Sequence, residues 1–240
     1  MQSVLVHDVP PLSWSHRFFV SVPFRTVVTA CLVVVLFCGG FALWRVSVHN
    51  EDVVEPGKLY RSGQLTVPQL REDIAQNGIR TVINLRGENK SSPWYQDEVA
   101  ACQSLGVQHI DVHLSAKHLP PPVEVNKLLD ALQTAPRPIL VHCLSGSDRT
   151  GLAASIFLID QEHVPWRQAE DALSWRFGHF ALYPYFEMDE FIQLYGQSAN
   201  PSLNSWARHD YPAIYAHEMG DSKEHEILEP LELFFRGRLD

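Results

Sequence analysis

Positive charge is in short supply in this chain: 19 lysines and arginines face 28 aspartates and glutamates, for a formal net charge of −9. With no basic stripe to displace counterions from phosphates, a nucleic-acid partner is excluded. Cysteine is scarce too. The four present, Cys31, Cys38, Cys102 and Cys143, form no C-x-x-C pair and lack the density of a disulfide scaffold, so the fold does not depend on bridges. There is no internal repeat and no low-complexity tract. The 240 residues suffice for one domain of roughly 150 residues plus appendages.

Near the start lies a run without any charge, residues 26–44, bracketed by Arg25 and Arg45. About nineteen helical residues just cross a bilayer core of about 30 Å, so a single-pass membrane anchor is expected. A cleaved signal peptide fits less well, because the segment ahead is long and no A-x-A-like site follows. Cys31 and Cys38 share one face of this run and read as small packing residues. Arg17 and Arg25 before it, and Arg45, Lys58 and Arg61 after it, leave the positive-inside count undecided. A short basic tail, an anchor and then the whole soluble part is the layout of a signal anchor, which places the domain on the extracytoplasmic, periplasmic side. The expected division is a tail over 1–25, the anchor over 26–44, a linker over 45–57, a catalytic domain over 58–197 and an extension of unassigned role over 198–240.

Within the domain, Lys58 to Gly63 reads as a short strand, and Thr66 with Pro68 opens a helix that Gly78 stops. Arg80 to Leu85 is β-branched and compact, a core strand. Ser92-Pro93 starts a second helix that Gly106 closes, and Val107 to Leu114 alternates as a half-polar strand. After Pro120-Pro121-Pro122, a helix presents Val125, Leu128, Leu129 and Leu132 on one face. This rhythm predicts an α/β fold: a central, mostly parallel sheet flanked by helices, plus the N-terminal transmembrane helix. Pro138 to Val141 is continuously apolar and belongs at the sheet centre. An apolar helix follows from Thr150, then two more over Pro165 to Arg176 and Tyr185 to Tyr195. Leu228 to Leu239 has the pattern of a further amphipathic helix.

Between the central strand and the apolar helix stands His142-Cys143-Leu144-Ser145-Gly146-Ser147-Asp148-Arg149-Thr150-Gly151. A cysteine there faces loop amides, an arginine and a helix N-terminus, all of which stabilise a thiolate. Cys143 is therefore the candidate nucleophile. The Arg149 fork and the amides of Leu144, Ser145, Gly146, Ser147, Asp148 and Arg149 suit the oxygens of a phosphoryl group. Gly146 supplies a position that a side chain would strain or block. Thr150 is placed to donate its hydroxyl to the cysteine sulfur.

His142-Cys143-x5-Arg149-Thr150-Gly151 resembles the signature of the cysteine-dependent protein tyrosine phosphatases. Tyr60-Arg61-Ser62-Gly63-Gln64 and Ile83-Asn84-Leu85-Arg86 are similar to the opening of bacterial and fungal members of the compact dual-specificity class, over about Lys58 to Gln197. The resemblance implies phosphomonoester hydrolysis through a phosphocysteine, without metal or cofactor, on phosphotyrosine protein and also phosphoserine or phosphothreonine. An inositol phosphate or phosphoinositide is the alternative substrate, disfavoured by the lack of a lysine in the loop, and a catalytically inactive phosphate-binding module is the alternative of another class. The pattern departs at the general acid: the loop Ser115 to Pro120 holds no aspartate. Some relatives use an aspartate just before the signature arginine, which points first to Asp148. Asp111 has the usual separation from the nucleophile, and His118 or no acid at all completes the options.

Other polar residues have simpler readings. His109, Asp111 and His113 share a strand face, but a fourth metal ligand is missing. Cys102 reads as buried packing rather than as a disulfide partner for an oxidised Cys143. His142 orients the loop, and Trp175 to Phe180 form a core and turn segment near the pocket rim.

Overall fold

The computed structural model describes residues 24–47, 49–181 and 186–219. The chain divides into two compact units, Met1–Phe41 and Ala42–Asp240. The apolar run is helical as part of α1 (Phe24–Ser47), and the large side chains Leu32 to Phe37, within the first unit, are exposed. Among the described residues, however, no helix is long and apolar enough to cross a membrane. The expected transmembrane helix is therefore not found. Side chains are described in α1 only over 26–37 and 39–41, short of the roughly 20 consecutive residues that a bilayer core takes.

The second unit follows the strand–helix rhythm. Its elements are β1 (Asp52–Glu55), β2 (Leu59–Ser62), α2 (Val67–Asn77), β3 (Thr81–Asn84), α3 (Pro93–Leu105), β4 (Gln108–Asp111), α4 (Pro122–Thr134), β5 (Ile139–His142), α5 (Asp148–Asp160), α6 (Trp166–Ala169), α7 (Glu187–Gln197) and α8 (Leu203–His209). Local chemistry sets the helix ends. Gln69 reaches back from the first turn of α2 to the Thr66 N–H at 3.0 Å, and Gly78 and Gly106 close α2 and α3 in the left-handed region.

The sheet order is β1-β2-β5-β3-β4, with only β1 antiparallel, so β5 sits in the middle as its apolar run predicts. Side chains alternate across β5. Ile139 and Val141 enter one core with α4, α5, α7 and α8, whereas Leu140 enters the other with Leu70 and Ile74 of α2 and Ala101 and Cys102 of α3. Cys143 belongs to the first core and Cys102 to the second, on opposite faces of the sheet, which keeps the two thiols apart.

Three regions differ from expectation. The linker 45–57 contains the edge strand β1, turned into β2 around Gly57 at φ +71°; its flanking acids, Asp52 and Glu55, hid the strand signal. The helix expected over Pro165 to Arg176 breaks after α6 into two short 3₁₀ turns, Glu170–Ala172 and Trp175–Phe177. Past Gln197, α8 and residues 211–219 are helical, and Trp206 and Tyr211 are fully buried in the first core against Phe191. Leu228 to Leu239 lies outside the described residues.

Candidate active site

The end of β5 and the start of α5 carry the site. Cys143 is almost fully buried, and its Sγ accepts the Gly146 N–H at 3.3 Å. Gly146 has φ +75°, and a Cβ there would stand 2.7 Å from the Gly63 nitrogen and 2.8 Å from Asn50 Cβ. Only glycine fits that turn.

The outer side of the loop is held through its carbonyls. Arg61, 2% exposed, donates to Gly146 O at 2.8 Å and to Ala172 O at 2.9 Å, and its guanidinium lies 3.7 Å over the Phe177 ring. Asn50 Nδ2 donates to Ser145 O at 2.6 Å and Phe177 O at 2.9 Å, while the Gln64 N–H takes Leu144 O at 3.1 Å. Ser147 Oγ also donates to Phe177 O, at 2.6 Å. These contacts explain the broken helix after α6: the backbone must turn to present the Ala172 carbonyl to Arg61 and the Phe177 carbonyl to Ser147 and Asn50. The roles of Asn50 and Arg61 are missing from the sequence reading. Arg61 stands in the Tyr60-Arg61-Ser62-Gly63-Gln64 motif, so a signal existed; Asn50 lies in the segment read as linker and gave none.

Arg149 opens α5 beside the nucleophile loop. Its Nη1 donates to Leu114 O at 3.3 Å, and its buried Nε has no hydrogen-bond partner among the described residues. Thr150 is fully buried, but its hydroxyl bonds Ser62 O at 3.5 Å rather than the Cys143 sulfur.

Both candidate acids are engaged. Asp148 Oδ1 lies 2.6 Å from His179 Nδ1, and the other ring nitrogen lies 2.7 Å from Asp189 Oδ2. Burial alone would lower the His179 pKa, but the hydrogen bonds and charges of the two carboxylates win and push it up to about 9. Asp111 Oδ1 accepts from Asn84 Nδ2 at 2.8 Å and Oδ2 accepts from the Tyr95 hydroxyl at 2.5 Å. Asp111 also sits two strands from β5, since Asn84 pairs with both Asp111 and His142, which is roughly 10 Å at ordinary strand spacing. His118 is exposed on the loop after β4.

Beneath the loop, buried Glu98 of α3 gathers His142 Nε2 at 3.1 Å, His109 Nε2 at 2.9 Å and Gln64 Nε2 at 2.7 Å. Burial opposes its charge, yet His142 first, then the three hydrogen bonds, hold its carboxyl well below the usual range. His109 is thus occupied by a carboxylate, and among the described residues no cluster suited to a metal is present. Gln64 also accepts Arg86 Nη1 at 2.8 Å, and Arg86 stacks 3.6 Å over Trp94. Burial and then the Arg149 charge pull the Arg86 pKa down, while Glu98 and Cys143 oppose them. Arg86 is therefore a second cation close to the loop, one that the sequence reading quoted without assigning.

Solved structures share this fold. TpbA of P. aeruginosa matches with a TM-score of 0.51 at 22% identity, covering 66% of this chain and 88% of that one. The core catalytic domain of the PP-IP phosphatase SIW14 of S. cerevisiae, in complex with citrate, matches with a TM-score of 0.51 at 22% identity, covering 61% of this chain and 85% of that one. No curated protein matches the chain. The family model described as a DSP-PTPase phosphatase fused to NAD+ kinase matches residues 41–176, over half of the chain, and with its cysteine–arginine loop in place the protein belongs to that family of cysteine-dependent, dual-specificity-type phosphatases.

Proposed function

We propose that the protein hydrolyses phosphate monoesters through a phosphocysteine on Cys143 and that phosphotyrosine in protein is its first substrate class. The observation that carries this reading is the cradle itself: Sγ held by the Gly146 amide at the N-terminus of α5, next to Arg149. In the first step Sγ attacks phosphorus as the P–O bond to the leaving group breaks. Arg149 and the loop amides carry the charge on the non-bridging oxygens. Water then attacks phosphorus, the S–P bond breaks, and the thiolate and inorganic phosphate are released.

The state of the carboxyls narrows the substrate. Asp148 Oδ1 is engaged by His179, and the two Asp111 oxygens by Asn84 and Tyr95, so neither carboxyl is set up to donate to the leaving oxygen. Aryl oxygens, with lower proton affinity than alkyl ones, leave more readily without help. Phosphotyrosine therefore ranks ahead of phosphoserine and phosphothreonine. A second reading, an inositol phosphate or diphosphate, is favoured by Arg86 beside Arg149, because an adjacent phosphoryl group needs an extra cation.

Turnover of p-nitrophenyl phosphate in excess chelator, followed by a panel of phosphopeptides and inositol phosphates, tests these readings. Tight phosphopeptide binding without turnover means an inactive module, and preference for diphosphorylated inositols means the second substrate class. We further propose residues 26–44 as a membrane anchor, with the domain on the extracytoplasmic side. Its support is the charge-free run 26–44 and the exposed side chains Leu32 to Phe37. Alkaline carbonate extraction and a reporter fused after Leu239 test it, and release into the soluble fraction contradicts it.

A further inference from the structure

His179 is 3% exposed, follows the turn made by Gly178 at φ +74°, and lies between two carboxylates. A neutral imidazole has one N–H and one lone pair, so it can donate to only one of them; the imidazolium donates to both. The charged groups on the surrounding elements are Asp148 and Arg149 of α5, Asp189 of α7, Arg61 of β2 and Arg176 of the same turn, the last paired with Asp52. Asp148 and Asp189 set the balance, holding the proton up to about pH 9. The same turn gives the Phe177 carbonyl to Ser147 and Asn50, so the imidazolium ties the first residue of α5 to a segment already clamped on the loop.

We propose that His179 is a positioning residue for phosphoryl transfer: by donating one ring N–H to Asp148 and the other to Asp189, it fixes the Asp148 side chain at the start of α5, in the residue before Arg149. Loss of its proton breaks one of the two bonds. The trio then gains a negative charge next to a site that must receive a phosphate dianion, and Asp148 is released from the start of α5. Activity thus depends on α7, which supplies Asp189. The inference rests on the phosphatase reading of Cys143.

The test is the pH profile of kcat/KM for p-nitrophenyl phosphate, from about pH 5 to about pH 10, measured on the full chain and on two variants. The wild type is expected to show an alkaline limb with a midpoint near 9. His179→Gln is expected to lose about 10²-fold, the scale of a misplaced catalytic group, with most of the loss in kcat, and to lose that limb. Asp189→Asn leaves one carboxylate on the ring and is expected to move the limb to lower pH. Imidazole ¹⁵N NMR reads the His179 proton directly, independent of turnover and without any substitution.

A neutral His179 at pH 7 overturns the proposal, as does His179→Gln with wild-type activity and an unchanged limb. If His179→Gln fails to fold, an unmoved limb in Asp189→Asn overturns it equally. A wild type without phosphatase turnover sinks the reading of Cys143 instead, whatever the imidazole shows.

Discussion

Arg61→Met offers a sharp test of how the phosphate loop is held. Methionine replaces the arginine stem with apolar volume and removes both the buried charge and its desolvation cost, so the remaining loss is that of the carbonyls left without a donor. Gly146 O and Ala172 O, now bonded at 2.8 Å and 2.9 Å, are those groups. At about 1–3 kcal/mol for each buried acceptor left unsatisfied, the variant is expected to lose about 3 kcal/mol of stability. For a chain of this size that is a fall of roughly 6–12 °C in Tm. The functional loss should exceed the stability loss, because a freed Gly146 carbonyl lets the peptide rotate and its amide leave the oxyanion position. One displaced amide costs about 10²-fold in kcat. Urea unfolding midpoints with an unchanged m-value give the first quantity, and p-nitrophenyl phosphate kinetics give the second. A change within about 0.5 kcal/mol, the range of an ordinary surface substitution, together with unchanged kcat/KM, would refute the argument that Arg61 shapes the loop.

Other outcomes follow from the same geometry. Gly146→Ala, forced into φ +75° with its Cβ 2.7 Å from the Gly63 nitrogen, is expected to lose binding of vanadate, measured by inhibition, while the helical signal in circular dichroism persists. His179 has its pKa raised from 6.5 to about 9, so its contribution to stability is fully present below about pH 6.5 and is lost as pH rises through about 9. That contribution is about 3 kcal/mol at 1.36 kcal/mol per unit, and urea midpoints in acid and alkali should show it in the wild type but not in His179→Gln. Asp148→Asn is expected to slow p-nitrophenyl and phenyl phosphate by the same factor. A loss of about 10²–10⁴-fold confined to the poorer leaving group, the mark of a general acid, in either Asp148→Asn or Asp111→Asn would contradict the reading that neither carboxyl donates to the leaving oxygen.

The loop and the sheet centre were legible because their signals are local. The cysteine and arginine stand six positions apart, the apolar run of β5 precedes them, and Thr66, Gly78, Ser92 and Gly106 mark helix ends within a few residues. What stayed hidden is contact at long separation. Asn50 meets Phe177 across 127 positions, Arg61 meets Gly146 across 85, and His179 meets Asp148 across 31. No periodicity records such pairs. Asp148 shows the consequence: read along the chain it is a candidate acid beside the signature arginine, and its contact with His179 cannot be seen there. The buried Trp206 and Tyr211 were missed for a related reason, since two aromatic residues among polar neighbours carry no readable helical face.

The central claim is that Cys143 carries the phosphoryl group between the two steps. The most direct measurement is rapid acid quench of the wild-type protein during turnover of a ³²P-labelled aryl phosphate, followed by peptide mapping of the label. The account predicts label on the peptide that contains Cys143, and none after Cys143→Ser, although that variant still binds phosphate. Label on another residue, or full turnover by Cys143→Ser, would contradict it.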